Sequence, residues 1–78
     1  MAESSIVRSV AKAMELLQRL SDSAQPLTLT ELARQAGLPK TTAFGLLNTL
    51  RQYDAVTQTA DGRYALGLRL FEFGCRVS

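Results

Sequence analysis

The segment TLTELARQAGLPKTTAFGLLNTL, residues 28–50, constrains the fold of this chain more than any other part of its sequence. Thr28 and Glu31 have the spacing of a capping box, which opens a helix by satisfying two backbone groups reciprocally. Gly37 predicts the end of that helix, because glycine carries no Cβ penalty in the left-handed conformation. Pro39 predicts a second helix, since its φ is already helical and a first-turn residue does not need its N–H.

Both predicted helices carry an apolar stripe at the spacing i, i+3, i+4 and i+7, which places the stripe on one face. The stripe residues are Leu29, Leu32, Ala33 and Ala36 in the first helix and Ala43, Leu46, Leu47 and Leu50 in the second. Two short helices joined by a glycine turn form a helix-turn-helix, whose second helix enters the major groove of DNA. This segment therefore predicts a nucleic-acid-binding unit.

A further helix is predicted before this unit. Ser9 is its predicted N-cap, and the helix is expected to end near Ser21. Its predicted buried stripe consists of Val10, Ala13, Met14, Leu17 and Leu20. Pro26 then excludes helix at the residue before it, and Leu27 predicts a very short strand that leads into the capped helix.

After the helix-turn-helix the pattern changes to that of a β-hairpin. Residues 55–59 and 64–66 predict two strands, and Asp61-Gly62 between them is a strong turn signal. Gly67 ends the hairpin. The apolar residues that follow predict a fourth helix, which either folds back onto the domain or forms a surface for a partner. These residues are Leu68, Leu70, Phe71 and Phe73.

The predicted fold is therefore mostly α-helical with a small β-hairpin, an α+β winged helix-turn-helix. Its order is helix, short strand, helix, helix, two strands, helix. Residues 1–6 are expected to be a flexible leader, 7–67 the winged domain and 68–78 the start of a linker or dimerisation helix. Within the domain, the helix-turn-helix spans about 28–50 and the wing about 55–66.

Composition excludes several classes of function. The chain of 78 residues has room for one small domain, and no apolar run is long enough for a membrane span. It has no histidine and one cysteine, Cys75, so neither a zinc site nor an internal disulfide is expected. No phosphate-binding glycine loop and no carboxylate pair suggest catalysis. We therefore expect a cytoplasmic protein that is not an enzyme and uses no cofactor or metal.

The outward face of the second helix of the helix-turn-helix supplies the candidate DNA contacts. With the apolar stripe turned inward, the outward residues are Thr41, Gly45, Asn48 and Gln52, flanked by Thr42 and Phe44. The threonines can contact phosphates, bases or thymine methyls, or can simply be solvated in the first turn, and Asn48 can pair with adenine. Lys40 can pair with phosphate or guanine. The net charge of +2 is consistent with this reading but would not suggest it alone.

Two candidates carry open alternatives. Phe44 either contacts the groove or packs against the first helix. Gly45 either allows close approach of DNA or reflects ordinary drift, because a glycine inside a helix costs about 1 kcal/mol relative to alanine.

Phosphate contacts are expected from outside that helix. Thr28 and the amides after it form a natural anion site at a helix N-terminus. Arg63 at the tip of the hairpin can lie along the DNA backbone or enter the minor groove, or it can remain a solvated hairpin arginine. The predicted partners are thus double-stranded DNA and a second copy of the chain.

The segments VRSVAKAMELLQRL, LTLTELARQAGLPKTTAFGLLNTL and DGRYALGLRLFEFG resemble the N-terminal DNA-binding domain of the IclR family of bacterial transcriptional regulators. The most specific part is AGLPKTT at its distance before GRYALG. The resemblance implies a winged helix-turn-helix that binds a pseudo-palindromic operator as a homodimer, or as a tetramer in a longer protein. It also implies that a C-terminal domain for a small-molecule effector is absent from this chain.

By the same resemblance, Lys40, Thr41, Thr42 and Phe44 are the recognition-helix positions. The family usually has an arginine where this chain has Gly45, which implies altered operator preference or weaker binding. Two alternatives to this function are a winged helix that contacts proteins and a winged-helix DNA binder of another family.

Overall fold

The computed structural model describes residues 5–78, which form four helices and one two-stranded antiparallel sheet. The elements are α1 (Arg8–Asp22), α2 (Leu29–Ala36), α3 (Lys40–Gln52), β1 (Val56–Gln58), β2 (Tyr64–Leu66) and α4 (Leu68–Arg76). This is the predicted α+β winged helix-turn-helix with one strand fewer. Of the predicted leader, residues 1–4 lie outside the described part of the chain.

The strand predicted at Leu27 is a single antiparallel bridge to Tyr64 rather than a strand. The Leu27 N–H donates to the Tyr64 carbonyl at 2.9 Å, and the Tyr64 N–H donates to the Leu27 carbonyl at 2.7 Å. The bridge ties the segment before α2 to the second strand of the wing. The wing is therefore held to the helix-turn-helix by backbone hydrogen bonds.

α2 begins and ends as its sequence predicts. The Glu31 N–H donates to the Thr28 hydroxyl at 3.1 Å, and the Thr28 N–H donates to the Glu31 carboxylate at 2.8 Å, so the capping box is complete. Gly37 ends the helix in the left-handed conformation with φ of 68°. Pro39 has the expected φ of −60° but an extended ψ of 147°, so α3 begins at Lys40, one residue later than predicted.

The prediction for α1 is wrong in two respects. The helix begins at Arg8 after an extended Val7, so Ser9 lies inside its first turn and is not the N-cap. A serine can cap only from an extended backbone outside the helix. The buried residues of α1 are Leu16 and Leu20, and the predicted stripe had omitted Leu16.

The rest of the predicted α1 stripe lies at or near the surface. Val10 and Met14 are each 60% exposed, and Ala13 and Leu17 are half-buried. The core of the domain covers only part of the apolar arc of α1, so the rest of the arc is exposed. Periodicity identified the apolar arc correctly, but it could not tell which edge of the arc meets the core.

The core is built from the inward faces of the helices and the base of the wing. It consists of Leu16, Leu20, Leu27, Leu32, Leu47, Val56 and Tyr64. Ala43 and Leu47 are fully buried in α3, whereas Leu46 and Leu50 are half-buried, so the predicted orientation of α3 is confirmed. This core fixes α3 with its opposite face in solvent.

The hairpin turn lies where the Asp-Gly pair predicts it. The Gly62 N–H donates to the Thr59 carbonyl at 2.9 Å, and Gly62 has φ of 87°. Asp61 keeps a negative φ, so the loop is a turn followed by a left-handed glycine rather than a two-residue hairpin turn. Gln58 pairs with Tyr64 in the register of the sheet, which leaves residues 59–63 as the wing tip.

Gly67 forms a tight corner between the wing and α4. A Cβ at this position would lie 2.2 Å from the Asp54 carbonyl oxygen, so only glycine fits. The Gly67 N–H donates to the Ala55 carbonyl at 2.9 Å, and the Arg69 N–H donates to the Asp54 carbonyl at 3.1 Å. The start of α4 is thus bonded to the turn that follows α3.

Candidate nucleic-acid interface

The outward side of α3 exposes four neighbouring positions, which we call the recognition face. They are Thr41, Phe44, Gly45 and Asn48, all exposed. At about 100° per residue, Thr41, Gly45 and Asn48 lie opposite the buried Ala43 and Leu47, and Phe44 lies at the edge of the same arc. Because no residue from Thr41 to Leu50 is charged, this arc offers hydroxyl, amide and aromatic groups in a row.

Lys40 and Thr42 flank the recognition face at the start of α3. Lys40 is the first helical residue and is exposed, so its ammonium group can reach beyond the helix end. Thr42 is half-buried and lies one turn before Leu46, away from Phe44. The structure therefore brings Lys40, Thr41, Phe44 and Asn48 together and turns Thr42 toward the edge of the arc.

Phe44 is a large apolar side chain on this surface and is 51% exposed. Its neighbours one turn away on the same side are Lys40 and Asn48, both exposed. Half of the ring surface is therefore available to an external ligand beside polar groups.

Gly45 has no packing partner in the fold. A Cβ built at Gly45 meets no atom within 4 Å, so the interior of the domain does not require glycine here. Thr49 lies one turn after Gly45, and its hydroxyl donates to the Gly45 carbonyl at 2.9 Å. The absence of a side chain leaves a shallow notch in the centre of the recognition face.

The N-terminus of α2 combines a cap with a nearby cation. Hydrogen bonding from the Thr28 backbone N–H lowers the pKa of Glu31 below its usual value, although partial burial opposes this shift. Glu31 Oε1 also lies 3.7 Å from Arg63 Nη1 on the wing. The anion site predicted at Thr28 therefore already borders one carboxylate of the chain itself.

Arg63 is half-buried at the wing tip and lies between two carboxylates. Its Nε is 3.3 Å from Asp61 Oδ2, in addition to the contact with Glu31. A hydrogen bond from the Thr59 hydroxyl lowers the pKa of Asp61, so that carboxylate stays charged near neutral pH. Sequence reasoning missed this pairing, because nothing in the spacing of residues 31 and 63 signals that they meet.

A second surface of the domain is mostly apolar, and we call it the apolar face. It runs from α1 across the second strand to α4 and consists of Val10, Met14, Leu17, Leu66, Leu70 and Phe71. Met14 is 60% exposed and Phe71 is 68% exposed. Sequence reasoning found the α4 part of this surface and wrongly buried the α1 part.

Three other features are absent from residues 5–78: a candidate metal site, a disulfide and a membrane-spanning helix. No group of three or more histidine, cysteine, aspartate or glutamate side chains is arranged to hold a metal ion in this part of the chain. Cys75 is a free, exposed thiol. Among the same residues, no helix has both the length and the apolar character needed to span a bilayer.

These features define a winged helix-turn-helix DNA-binding domain. Helix α3 is held by its apolar side and presents a polar outward face, and the hairpin is fixed beside α2 by the Leu27–Tyr64 bridge. In proteins of this class the second helix of the motif enters the major groove.

The family is established by comparison with known proteins. The model of the IclR helix-turn-helix domain matches residues 9–60, which is most of the chain. This chain therefore belongs to the IclR family of helix-turn-helix transcriptional regulators, as its sequence predicts.

Named relatives agree with this assignment. The transcriptional repressor IclR of Escherichia coli is 39% identical over 69 residues, which cover 87% of this chain and 25% of that protein. The Escherichia coli regulator XynR is 34% identical over 70 residues, covering 88% of this chain and 28% of that protein. These relatives are transcriptional regulators, in agreement with the prediction that this chain is not an enzyme.

Solved structures show the same fold. The IclR transcriptional regulator from Alicyclobacillus acidocaldarius has a TM-score of 0.86 at 40% identity, covering 91% of this chain and 29% of that chain. The Agobacterium tumefaciens repressor BlcR has a TM-score of 0.81 at 28% identity, covering 92% and 31%. The chain thus spans about a quarter to a third of the length of these relatives.

Proposed function

We propose that this chain recognises a specific DNA sequence as a homodimer on a pseudo-palindromic operator. The observation that carries the proposal is the recognition face, which is exposed and uncharged and presents hydroxyl, aromatic and amide groups along α3. In this arrangement α3 lies in the major groove, and its first residues meet the base edges. Two copies related by a twofold axis would read half-sites about one helical turn apart.

Base selection falls to Thr41, Phe44 and Asn48 in this proposal. Threonine can hydrogen-bond a base edge, and asparagine can form a bidentate contact with adenine. Lys40 contributes a cation at the helix start, where phosphate or guanine is within reach of its long side chain. Thr42, half-buried at the edge of the arc, contacts the nearest phosphate.

Phosphate contacts set the register in this proposal, and Arg63 and Thr28 supply them. Arg63 would exchange its contacts with Glu31 and Asp61, at 3.7 and 3.3 Å, for a phosphate. Both carboxylates are solvent-accessible, so these exposed ion pairs contribute little to stability and can be exchanged for a phosphate contact.

The homodimer is proposed to form through the apolar face. Phe71 of α4 is 68% exposed, and α4 has no buried residue. Large exposed apolar patches are typical of contacts with a partner. A cytoplasmic location and control by a small molecule bound to a further domain complete the proposal for the full regulator.

The test is a titration of chain variants on operator sequences selected from a random pool. Thr41→Ala should relax base preference at one position, whereas Arg63→Ala should lower affinity about equally on all sequences. Matched controls are Thr57→Ala on β1 and Arg76→Ala near the end of α4, both at exposed positions. The reverse pattern, with Thr41→Ala uniform and Arg63→Ala base-dependent, would reject these roles.

A simpler measurement separates this proposal from a winged helix that contacts proteins. A DNA binder is retained on random duplex DNA at low salt and released as salt rises, because phosphate contacts displace counterions. If the chain were not retained on a column of immobilised random duplex DNA at low salt, DNA binding would be contradicted altogether.

A further inference from the structure

Phe44 occupies a place on the recognition face that its own fold does not explain. The core-facing residues of α3 are Ala43 and Leu47, and the Phe44 ring lies beside that stripe with half its surface exposed. Covering an exposed apolar ring with another apolar group is favourable, because it removes apolar surface from water. Something outside the domain is therefore expected to meet this ring at the base-reading surface.

Resting on the proposed function, we propose that Phe44 reads the 5-methyl group of thymine in the operator half-site. The thymine methyl is the one apolar group that a base edge presents in the major groove. The other bases present hydrogen-bonding groups there, which a phenyl ring cannot satisfy. The ring therefore favours thymine by covering its methyl and disfavours the others by desolvating polar groups.

Gly45 supports this assignment by its shape. Because a Cβ at Gly45 would meet no atom within 4 Å, the notch beside Phe44 opens outward and not into the protein. A side chain at this position would stand between the helix backbone and the groove floor. Its absence allows the backbone, and with it the neighbouring ring, to approach the base edges closely.

Asn48 extends the same preference by one turn. It lies four residues after Phe44 on the same side of α3 and is exposed. A bidentate contact between asparagine and adenine specifies an A·T pair. The partner of that adenine is a thymine, so amide and ring together favour adjacent A·T pairs within the half-site.

The experiment removes single methyl groups from the DNA. After selection of the preferred duplex, each thymine of the half-site is replaced in turn by deoxyuridine, which lacks only the 5-methyl group. Dissociation constants are then measured for the unaltered chain, for Phe44→Ala and for the control Tyr53→Ala. Tyr53 is an aromatic residue 64% exposed at the C-terminal end of the same helix.

The expected result is a methyl effect that depends on Phe44. One or two deoxyuridine replacements should weaken binding by the unaltered chain and by Tyr53→Ala about fourfold, which corresponds to about 0.8 kcal/mol for one buried carbon group. The same replacements should leave binding by Phe44→Ala unchanged. Thermal unfolding of both variants checks that the exposed position leaves the fold intact.

Three other outcomes overturn the inference. A sequence-specific site that tolerates every deoxyuridine would reject thymine reading while leaving the proposed function in place. A methyl effect of equal size in Phe44→Ala would assign it to another residue. A selection that yields no preferred sequence would remove both the inference and the sequence-specific function beneath it.

Discussion

The recognition face and the apolar face are both exposed, yet they differ in what exposure costs the free chain. The recognition face presents polar groups that water satisfies, with a single aromatic ring among them. The apolar face presents hydrocarbon from α1, β2 and α4, with Val10 60% and Phe71 68% exposed. A polar surface is well solvated when its ligand is absent and therefore suits a transient ligand. A continuous apolar surface is unfavourable in water and therefore favours a permanent partner.

The largest expected difference between the two faces is in how salt affects their binding affinities. If each bound chain neutralises about four phosphates, DNA affinity falls about a hundredfold between 50 and 200 mM salt. Self-association through the apolar face should stay nearly constant over the same range, since hydrophobic contact is not screened. Binding isotherms and sedimentation at matched salt concentrations measure both, and parallel salt dependence would show that the faces are not distinct.

Truncating Phe71 should affect only the apolar face. Because each copy contributes the residue to a symmetric interface, Phe71→Ala should weaken dimerisation about thirtyfold, for about 2 kcal/mol of lost burial. Affinity for a single half-site should not change. Sedimentation equilibrium checks the first effect, with Tyr53→Ala as an exposed aromatic control; unchanged dimerisation in Phe71→Ala would place the interface elsewhere.

The Gly45→Ala variant tests whether glycine at the centre of the recognition face serves DNA binding. Alanine meets no atom within 4 Å at this position, so the variant should be more stable by about 1 kcal/mol, raising Tm by about 4–8 °C. If DNA approaches Gly45 closely, the same variant binds operator more weakly. Gly74→Ala in α4 is the control, because its site is equally open; stabilisation without loss of binding would indicate ordinary drift at Gly45.

The smallest expected effect is on the free energy of unfolding and concerns Glu31, which caps α2 of the helix-turn-helix and has no part in the apolar face. Its pKa is lowered in the folded chain, chiefly by the Thr28 N–H, so its charge stabilises the fold above the unfolded pKa. That contribution is lost as pH falls through the folded pKa. Glu31→Gln keeps a cap but removes the charge, so its stability should fall less than that of the unaltered chain on acidification.

The measurement is the free energy of unfolding as a function of pH for both proteins. Their difference should be present at neutral pH and should shrink as the solution becomes acidic. Parallel profiles at every pH would show that the Glu31 carboxylate contributes nothing through its charge.

The locally encoded parts of this fold were predictable from sequence, and the long-range parts were not. The capping box at Thr28 and the left-handed Gly37 depend on neighbours a few residues away, and the structure confirms both. The edge of α1 that meets the core depends on helices packed from elsewhere. The prediction therefore buried Val10 and Met14 and omitted Leu16.

The same distinction applies to the candidate site. Helical periodicity alone predicts which residues of α3 face outward, so the recognition face could be read from sequence. The contacts of Arg63 with Glu31 and Asp61 arise from folding the wing beside α2, and only the Asp61 contact is local. What each exposed residue touches on DNA remains a prediction.

The corner at Gly67 has a mechanical consequence. Its two backbone bonds, and the Arg69–Asp54 ion pair at 3.8 Å, join the first turn of α4 to the residues that directly follow α3. Because most of these contacts are made by backbone atoms, we expect the start of α4 to be rigidly joined to the residues after α3. A change in the direction of α4 would then be felt at the C-terminal end of α3, and a larger residue at position 67 should weaken this coupling, because its Cβ would clash with the Asp54 carbonyl.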